Sequence, residues 1–298
     1  MKKKVNLYKI FVYLVMAIFA LSILIPLIWV FMASLKENKE FYQNPWQLPL
    51  GFYWENFKNA WVGANMGTYF LNSVIVTAGS LAILLIIAIP CAYVLSRIEF
   101  KGRSVLRGIM KAGLFINLSY IVVPIFMMLL DLNQKFEVTF FLNNRLILCF
   151  IYAASAVPFT VYLLSNFFQS ISKSYEEAAR IDGAGYFKTL VDIILPMAKP
   201  AVITVILFNF LSFWNEYILA LTILPDDAKR TLPVGLINLQ QASRGAAQYG
   251  RLYAGLVLVM VPTLILYISV QKQLTEGMMV GGDKGWEKTI RNLELMVG

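Results

Sequence analysis

No histidine occurs anywhere in the 298 residues. That absence removes His-based acid–base catalysis, Ser–His and Cys–His nucleophile pairs, and most zinc and haem sites. There are two cysteines, Cys91 and Cys149, each alone inside an apolar run. They make neither a disulfide framework nor a metal clip, and both read as small buried hydrophobes. Charge is scarce as well: Asp, Glu, Lys and Arg make up 14% of the chain, where a soluble domain carries about 25%. No Gly-x4-Gly-Lys-Ser/Thr loop is present to cradle nucleotide phosphates. No carboxylate pair is poised for glycosidase chemistry either.

What fills the chain instead is apolar. Hydrophobic residues are 59% of the total, with a mean hydropathy of +0.66, too little polar surface to face water on all sides. Six runs are long enough to cross about 30 Å of hydrocarbon as helices of about 20 residues: roughly 10–34, 69–96, 112–130, 146–168, 201–224 and 252–271. Pro26, Pro90, Pro124, Pro158 and Pro262 lie inside these runs, and membrane helices tolerate such prolines because neighbours re-satisfy the freed carbonyls. Lys2-Lys3-Lys4 ahead of the first run superficially resembles a signal peptide, but the run is too long for an h-region and no small-residue cleavage site follows, so a retained first span is expected. The expected fold is therefore all-α: one integral membrane domain, 1–298, of six spans.

Orientation follows from the basic residues. With the amino terminus inside, the cytoplasmic pieces hold 17 of the 26 lysines and arginines, a bias that places both termini in the cytoplasm. The net charge of +9 is spread over these short clusters with no aromatic-interleaved basic face, so nucleic acid is not an expected partner. The longest cytoplasmic loop, 169–199, precedes the fifth span, and residues 272–298 form a cytoplasmic tail.

That loop contains Ser174–Pro200, SYEEAARIDGAGYFKTLVDIILPMAKP. Ser174 and Glu177 have the spacing of a capping box, which predicts a short helix starting at Tyr175. Ala178 and Ala179 give that helix a face without bulk. Gly183 can take the positive φ that ends a helix. A second helix is expected over 186–195, with Phe187, Leu190, Val191 and Ile194 at helical spacing, before Pro196 and Pro200 end it and open the next span. Such a unit is either a solvated connector or a rigid plug for a groove on a soluble partner.

The stretch resembles the EAA loop of binding-protein-dependent ABC importer permeases: Glu177-Ala178-Ala179, then Gly183, Ile193 and Leu195-Pro196, ungapped. Further resemblance to the second permease of carbohydrate importers of the maltose-transporter type runs along the chain. It falls on Glu55-Asn56-Phe57, Asn72-Ser73, Ala92-Tyr93 to Arg97 with Phe100, Gly102 and Arg103, Ile181-Asp182-Gly183-Ala184, Phe213-Trp214-Asn215-Glu216-Tyr217, and Thr231 to Leu236. The resemblance implies that Glu177, Ala178, Ala179, Asp182, Gly183 and Ala184 belong to a coupling helix seated in an ATPase cleft. It also implies a homologous second permease, two ATPase subunits that bind the ATP, an extracellular or periplasmic sugar-binding protein, and no cofactor or catalytic residue in this chain. Gln273 to Gly277 fit the family's ending, but Val280 stands where a lysine is usual, and the tail runs on past Trp286 and Arg291.

Within the fifth span, Asn209, Ser212, Asn215 and Glu216 are polar at near-helical spacing. A carboxylate in hydrocarbon must face a cavity, pair, or sit near the interface. With Trp214 and Tyr217 as stacking surfaces, this face is a candidate lining for a sugar path; an aromatic belt with a helix–helix polar contact accounts for it equally. Asn117, Ser119 and Tyr120 are weaker candidates. A permease for amino acids, phosphate or polyamines shares the loop signature and stays open. A secondary transporter is a poorer match, for want of a repeat or a midplane acid.

Overall fold

A computed structural model describes residues 7–116, 118–246 and 248–271; the tail residues discussed above, from Gln273 onward, and Asn117 lie outside these. The regular secondary structure of the described residues is helical, with no strand among them. Four helices have the length and apolarity of a membrane span: α1 (Leu7–Ser34), α2 (Met66–Arg97), α3 (Arg145–Ser170) and a carboxyl-terminal helix, Tyr249–Gln271. Two bent pairs raise the number to six if each is one span: Arg103–Gly113 with Leu118–Lys135, and Tyr186–Met197 with Lys199–Asn215.

Two of the expected spans are interrupted, each for a local reason. The third was expected over 112–130. After Gly113 the backbone N–H groups of Leu114, Phe115 and Ile116 each reach back only three residues, to Lys111, Ala112 and Gly113. The α-ladder is thereby lost, and a new helix begins at Leu118. The piece before the break, Arg103–Gly113, is amphipathic: Val105, Leu106 and Ile109 are exposed while Arg103 and Arg107 turn onto the end of α2. The fifth span was expected unbroken over 201–224. It ends at Asn215, Glu216 takes an extended conformation with ψ 130°, and a separate short helix runs Ile218–Ile223.

The chain divides into two compact units. The first combines residues 1–70 and 234–262. Its interior centres on an aromatic cluster in which Phe41 stacks on Tyr249, with ring centroids 5.3 Å apart, and Trp29 meets Tyr253 edge-on at 5.1 Å. Asn56 is buried there and its amide donates to the carbonyls of Ser34 and Lys36 at 2.9 and 2.8 Å. It thus satisfies carbonyls that the end of α1 leaves without partners. Gly250 packs against this contact: a Cβ would lie 2.5 Å from the Asn56 amide nitrogen and 2.8 Å from the Lys36 carbonyl. The buried Lys36 amine is held by the carbonyls of Asn44 and Pro45.

The second unit combines residues 71–233 and 263–298. Two stretches distant in sequence meet within it. The Asn72 amide donates to the carbonyls of Ala228 and Arg230, both at 2.9 Å, and Ser73 Oγ accepts the backbone N–H of Leu232 at 2.8 Å. Asn72 Oδ1 in turn accepts from Arg145 at the start of α3. Buried polar groups need such partners, which explains why this helix carries Asn-Ser where an apolar pair would serve hydrophobicity better.

Candidate functional site: the loop after α3

The loop is built on three helix ends. α2 terminates at Arg97, whose guanidinium lies 2.9 Å from the carboxylate of Glu176 with both side chains below 10% exposed. The two charges face each other as an ion pair, off the line a hydrogen bond requires. Arg97 also donates to the carbonyls of Phe168 and Ile171 at the end of α3. Beside it, Arg103 donates to the Leu95 and Ser96 carbonyls and Arg107 to that of Leu95, covering the orphan carbonyls and negative dipole end of α2. One arginine therefore ties together the ends of two spans and the first turn of the loop helix.

That helix, α4, runs Ser174–Ile181. The expected capping box is not formed. The Glu177 N–H that it requires already bonds the Lys173 carbonyl at 3.1 Å, as does that of Glu176 at 3.0 Å. The helix accordingly begins one residue earlier than expected, and Ser174 Oγ pairs with Ser172 Oγ instead. Glu177 and Ala178 are exposed, whereas Ala179 is 4% exposed and packs into the chain. The exposed face without bulk is therefore that of Ala178, not of both alanines.

The turn that follows is a Schellman motif. Ala184 N–H bonds the Ala179 carbonyl at 2.9 Å and Gly183 N–H bonds that of Arg180 at 3.0 Å, the two bonds that define it. Gly183 has φ +79°, and a Cβ there would meet nothing within 4 Å. Glycine is favoured there by backbone conformation alone. Asp182 is exposed and Ala184 half-buried. Arg180 lies over the Tyr186 ring at 5.0 Å, bridging the turn.

The second helix, α5 (Tyr186–Met197), is longer than expected and contains a π-turn over Leu190–Ile194. Of its four anticipated face residues, Leu190 and Ile194 are buried, while Phe187 and Val191 are exposed. The wide turn precedes Pro196, which supplies no N–H and crowds the carbonyl four residues back. The chain then bends by 80° into α6 (Lys199–Asn215).

The six residues proposed for the path separate by environment. Asn209 is buried, its amide donating to Thr160 Oγ1 of α3 at 3.0 Å and to the Val205 carbonyl. Trp214 is also buried and stacks on Phe210. Ser212, Asn215 and Tyr217 are exposed. Glu216 accepts a hydrogen bond from Tyr152 of α3 and the N–H groups of Leu219 and Ala220, at 2.8 and 3.2 Å. It is thus both a helix–helix contact and the cap of Ile218–Ile223. Of the weaker candidates, Ser119 and Tyr120 are exposed. The sequence named Arg97 only within a family resemblance and pointed neither to its pairing with Glu176 nor to the contact of Tyr152 with Glu216; Arg97 and Glu216, charged residues at the ends of apolar runs, were the available signal.

Residues 84–275 match the family of binding-protein-dependent transport system inner membrane components, and the chain belongs to that family: it is a permease subunit of an ABC importer. Among its relatives, a diacetylchitobiose uptake system permease of Streptomyces coelicolor is 37% identical, over 89% of this chain and 85% of that protein. A melibiose/raffinose/stachyose import permease of Bacillus subtilis is 31% identical over 91% and 95%. A bacterial ABC transporter involved in import of the acidic polysaccharide alginate contains a chain of the same fold, with TM-score 0.75, 28% identity, and coverage of 89% of this chain and 96% of that one.

Proposed function

We propose that this chain forms half of the translocation path of an ATP-driven carbohydrate importer and couples to its ATPase through α4 and the Gly183 turn. The observation that carries the reading is the Arg97–Glu176 junction. A loop that merely joined two spans has no need to be pinned through a buried ion pair to the ends of both α2 and α3. A plug that transmits motion does, because packed elements move as units. Its exposed tip presents Glu177, Ala178, Ile181, Asp182 and Phe187, a small residue flanked by charge and by apolar side chains.

One such loop meets one ATPase cleft. The complete assembly therefore comprises a homologous second permease, two ATPase subunits that bind and hydrolyse the ATP, and an external sugar-binding protein; this chain performs no catalysis. Its termini lie in the cytoplasm. The carbohydrate assignment is supported by relatives that take diacetylchitobiose and the melibiose–raffinose–stachyose group. Within the path, Ser212, Asn215 and Tyr217 are the side chains available to sugar hydroxyls, backed by buried Asn209, Trp214 and the capped Glu216.

The test is uptake by the reconstituted assembly in proteoliposomes, with ATP inside and the binding protein outside. Oligosaccharides should accumulate and stimulate ATP hydrolysis; amino acids, phosphate and polyamines should do neither. Uptake confined to a non-sugar solute overturns the carbohydrate reading. ATP-independent uptake overturns the importer reading.

A further inference from the structure

One face of α3 lines two cavities in succession. Ile151, Ala154, Ser155 and Pro158 border an apolar cavity of about 360 Å³ shared with Leu118–Lys135. Further along the same face, Tyr162, Ser165, Asn166 and Gln169 border a smaller polar cavity of about 210 Å³, whose opposite wall carries Arg107 and Lys111 from Arg103–Gly113. Ile151, Ser155, Pro158, Tyr162, Ser165 and Gln169 alternate four and three apart, with Ala154 and Asn166 beside them, so both cavities lie on a single stripe. Gly113 forms the waist between them: a Cβ there would stand 2.7 Å from Pro158 Cγ, so glycine allows the close approach.

We propose that this groove binds one anionic phospholipid, with acyl chain in the apolar cavity and phosphate beside Arg107 and Lys111. The proposal rests on reading α3 and Leu118–Lys135 as membrane-spanning, and does not depend on what the importer carries. Three observations support it. First, the centres of the two groups of α3 residues named above are 11 residues apart, roughly 16 Å along a helix, close to the half-thickness of a bilayer of about 30 Å. Second, polarity runs in the lipid's order: the first cavity is bordered mainly by apolar side chains, whereas the second sets amides, hydroxyls and two cations beside Leu95, Met110 and Val161, with no carboxylate among its lining residues. Third, Arg107 is fixed by its bonds to the Leu95 carbonyl, so its charge is held at the wall at no ordering cost on binding. The exposed apolar residues Val105, Leu106 and Ile109 place the same short helix at the headgroup level.

The assembled importer, purified into nanodiscs of phosphatidylglycerol and phosphatidylcholine, would be released and weighed by native mass spectrometry. The wild type should retain phosphatidylglycerol over phosphatidylcholine, and excess glycerol phosphate should not displace it. Lys111→Gln should lower retention about five-fold, the weight of one basic residue at an anionic surface. Ala154→Trp, at an exposed position in the apolar cavity, should abolish it, while Lys101→Gln, exposed outside the cavity, should change nothing. If Ala154→Trp does not assemble, the lysine pair decides. Equal retention of both lipids, equal effects of the two lysines, displacement by glycerol phosphate, or full retention in an assembled Ala154→Trp complex would each overturn the proposal, the last indicating that the second permease covers the groove.

Discussion

Replacing Glu176 by leucine removes one partner of a charge pair whose side chains are 3% and 9% exposed. Breaking such a pair from one side costs about 3–5 kcal/mol, because the surviving charge stays buried. Here the surviving Arg97 keeps the Phe168 and Ile171 carbonyls, which places Glu176→Leu at the lower end of that range. Arg97→Met also loses those two bonds, each worth about 1.5–3 kcal/mol when the donor is charged, and should be the more damaging change. In the double variant no charge is stranded. Its cost should fall well below the sum of the singles, since apolar replacement of a whole buried pair is often neutral, and the difference is the coupling energy of the pair. Thermal unfolding of the detergent-solubilised assembly gives the stabilities. Solute taken up per ATP hydrolysed in proteoliposomes gives the functional readout: the single variants should hydrolyse ATP with little uptake, and the double should regain part of it. A Glu176→Leu protein within about 0.5 kcal/mol of wild type, with unchanged uptake per ATP, would refute the junction's role.

Three further outcomes follow from the same geometry. Gly183→Val should cost about 1–2 kcal/mol through left-handed backbone strain alone, since space for the side chain is free; it should abolish solute-stimulated ATP hydrolysis, and Gly183→Asn, which tolerates that conformation, should retain most of it. Glu216→Gln keeps one acceptor for the Leu219 N–H but loses charge towards Tyr152 and Ala220; transport rate or affinity should change while assembly and basal ATPase activity persist, and unchanged transport would leave Glu216 as a cap only. Cysteines at Asp227 and Lys101 should label from outside and inside respectively; the reverse pattern contradicts the proposed orientation.

The apolar runs were legible because hydrophobic length is a one-dimensional signal, and the Gly183 turn because positive φ is written in a single residue. Breaks within runs were not. Leu114–Ile116 and Tyr217–Leu219 are as apolar as their neighbours, and only hydrogen bonding shows that the ladder fails after Gly113 and is restarted by the Glu216 carboxylate. The capping box misled because the pattern cannot reveal that a backbone carbonyl, Lys173's, holds the N–H first. The pairing of Arg97 with Glu176 was hidden for a related reason: 79 positions apart, they are joined by tertiary packing. Conversely, two motifs that were only resemblances have acquired a physical cause, since the side chains of Asn72 and Ser73 bond the backbone of Ala228, Arg230 and Leu232, at the entry to the 231–236 stretch.

If α4 seats in an ATPase cleft as proposed, Ala178 is the position that reports on it. Ala178 is exposed and Ala179 is buried against the chain, so a single cysteine at each distinguishes docking from general proximity. In the assembled complex, with a cysteine placed in the cleft of the ATPase, Ala178→Cys should form a disulfide rapidly and in an ATP-dependent manner, and Ala179→Cys should form little. No crosslink from Ala178→Cys in a transport-competent complex would contradict the account.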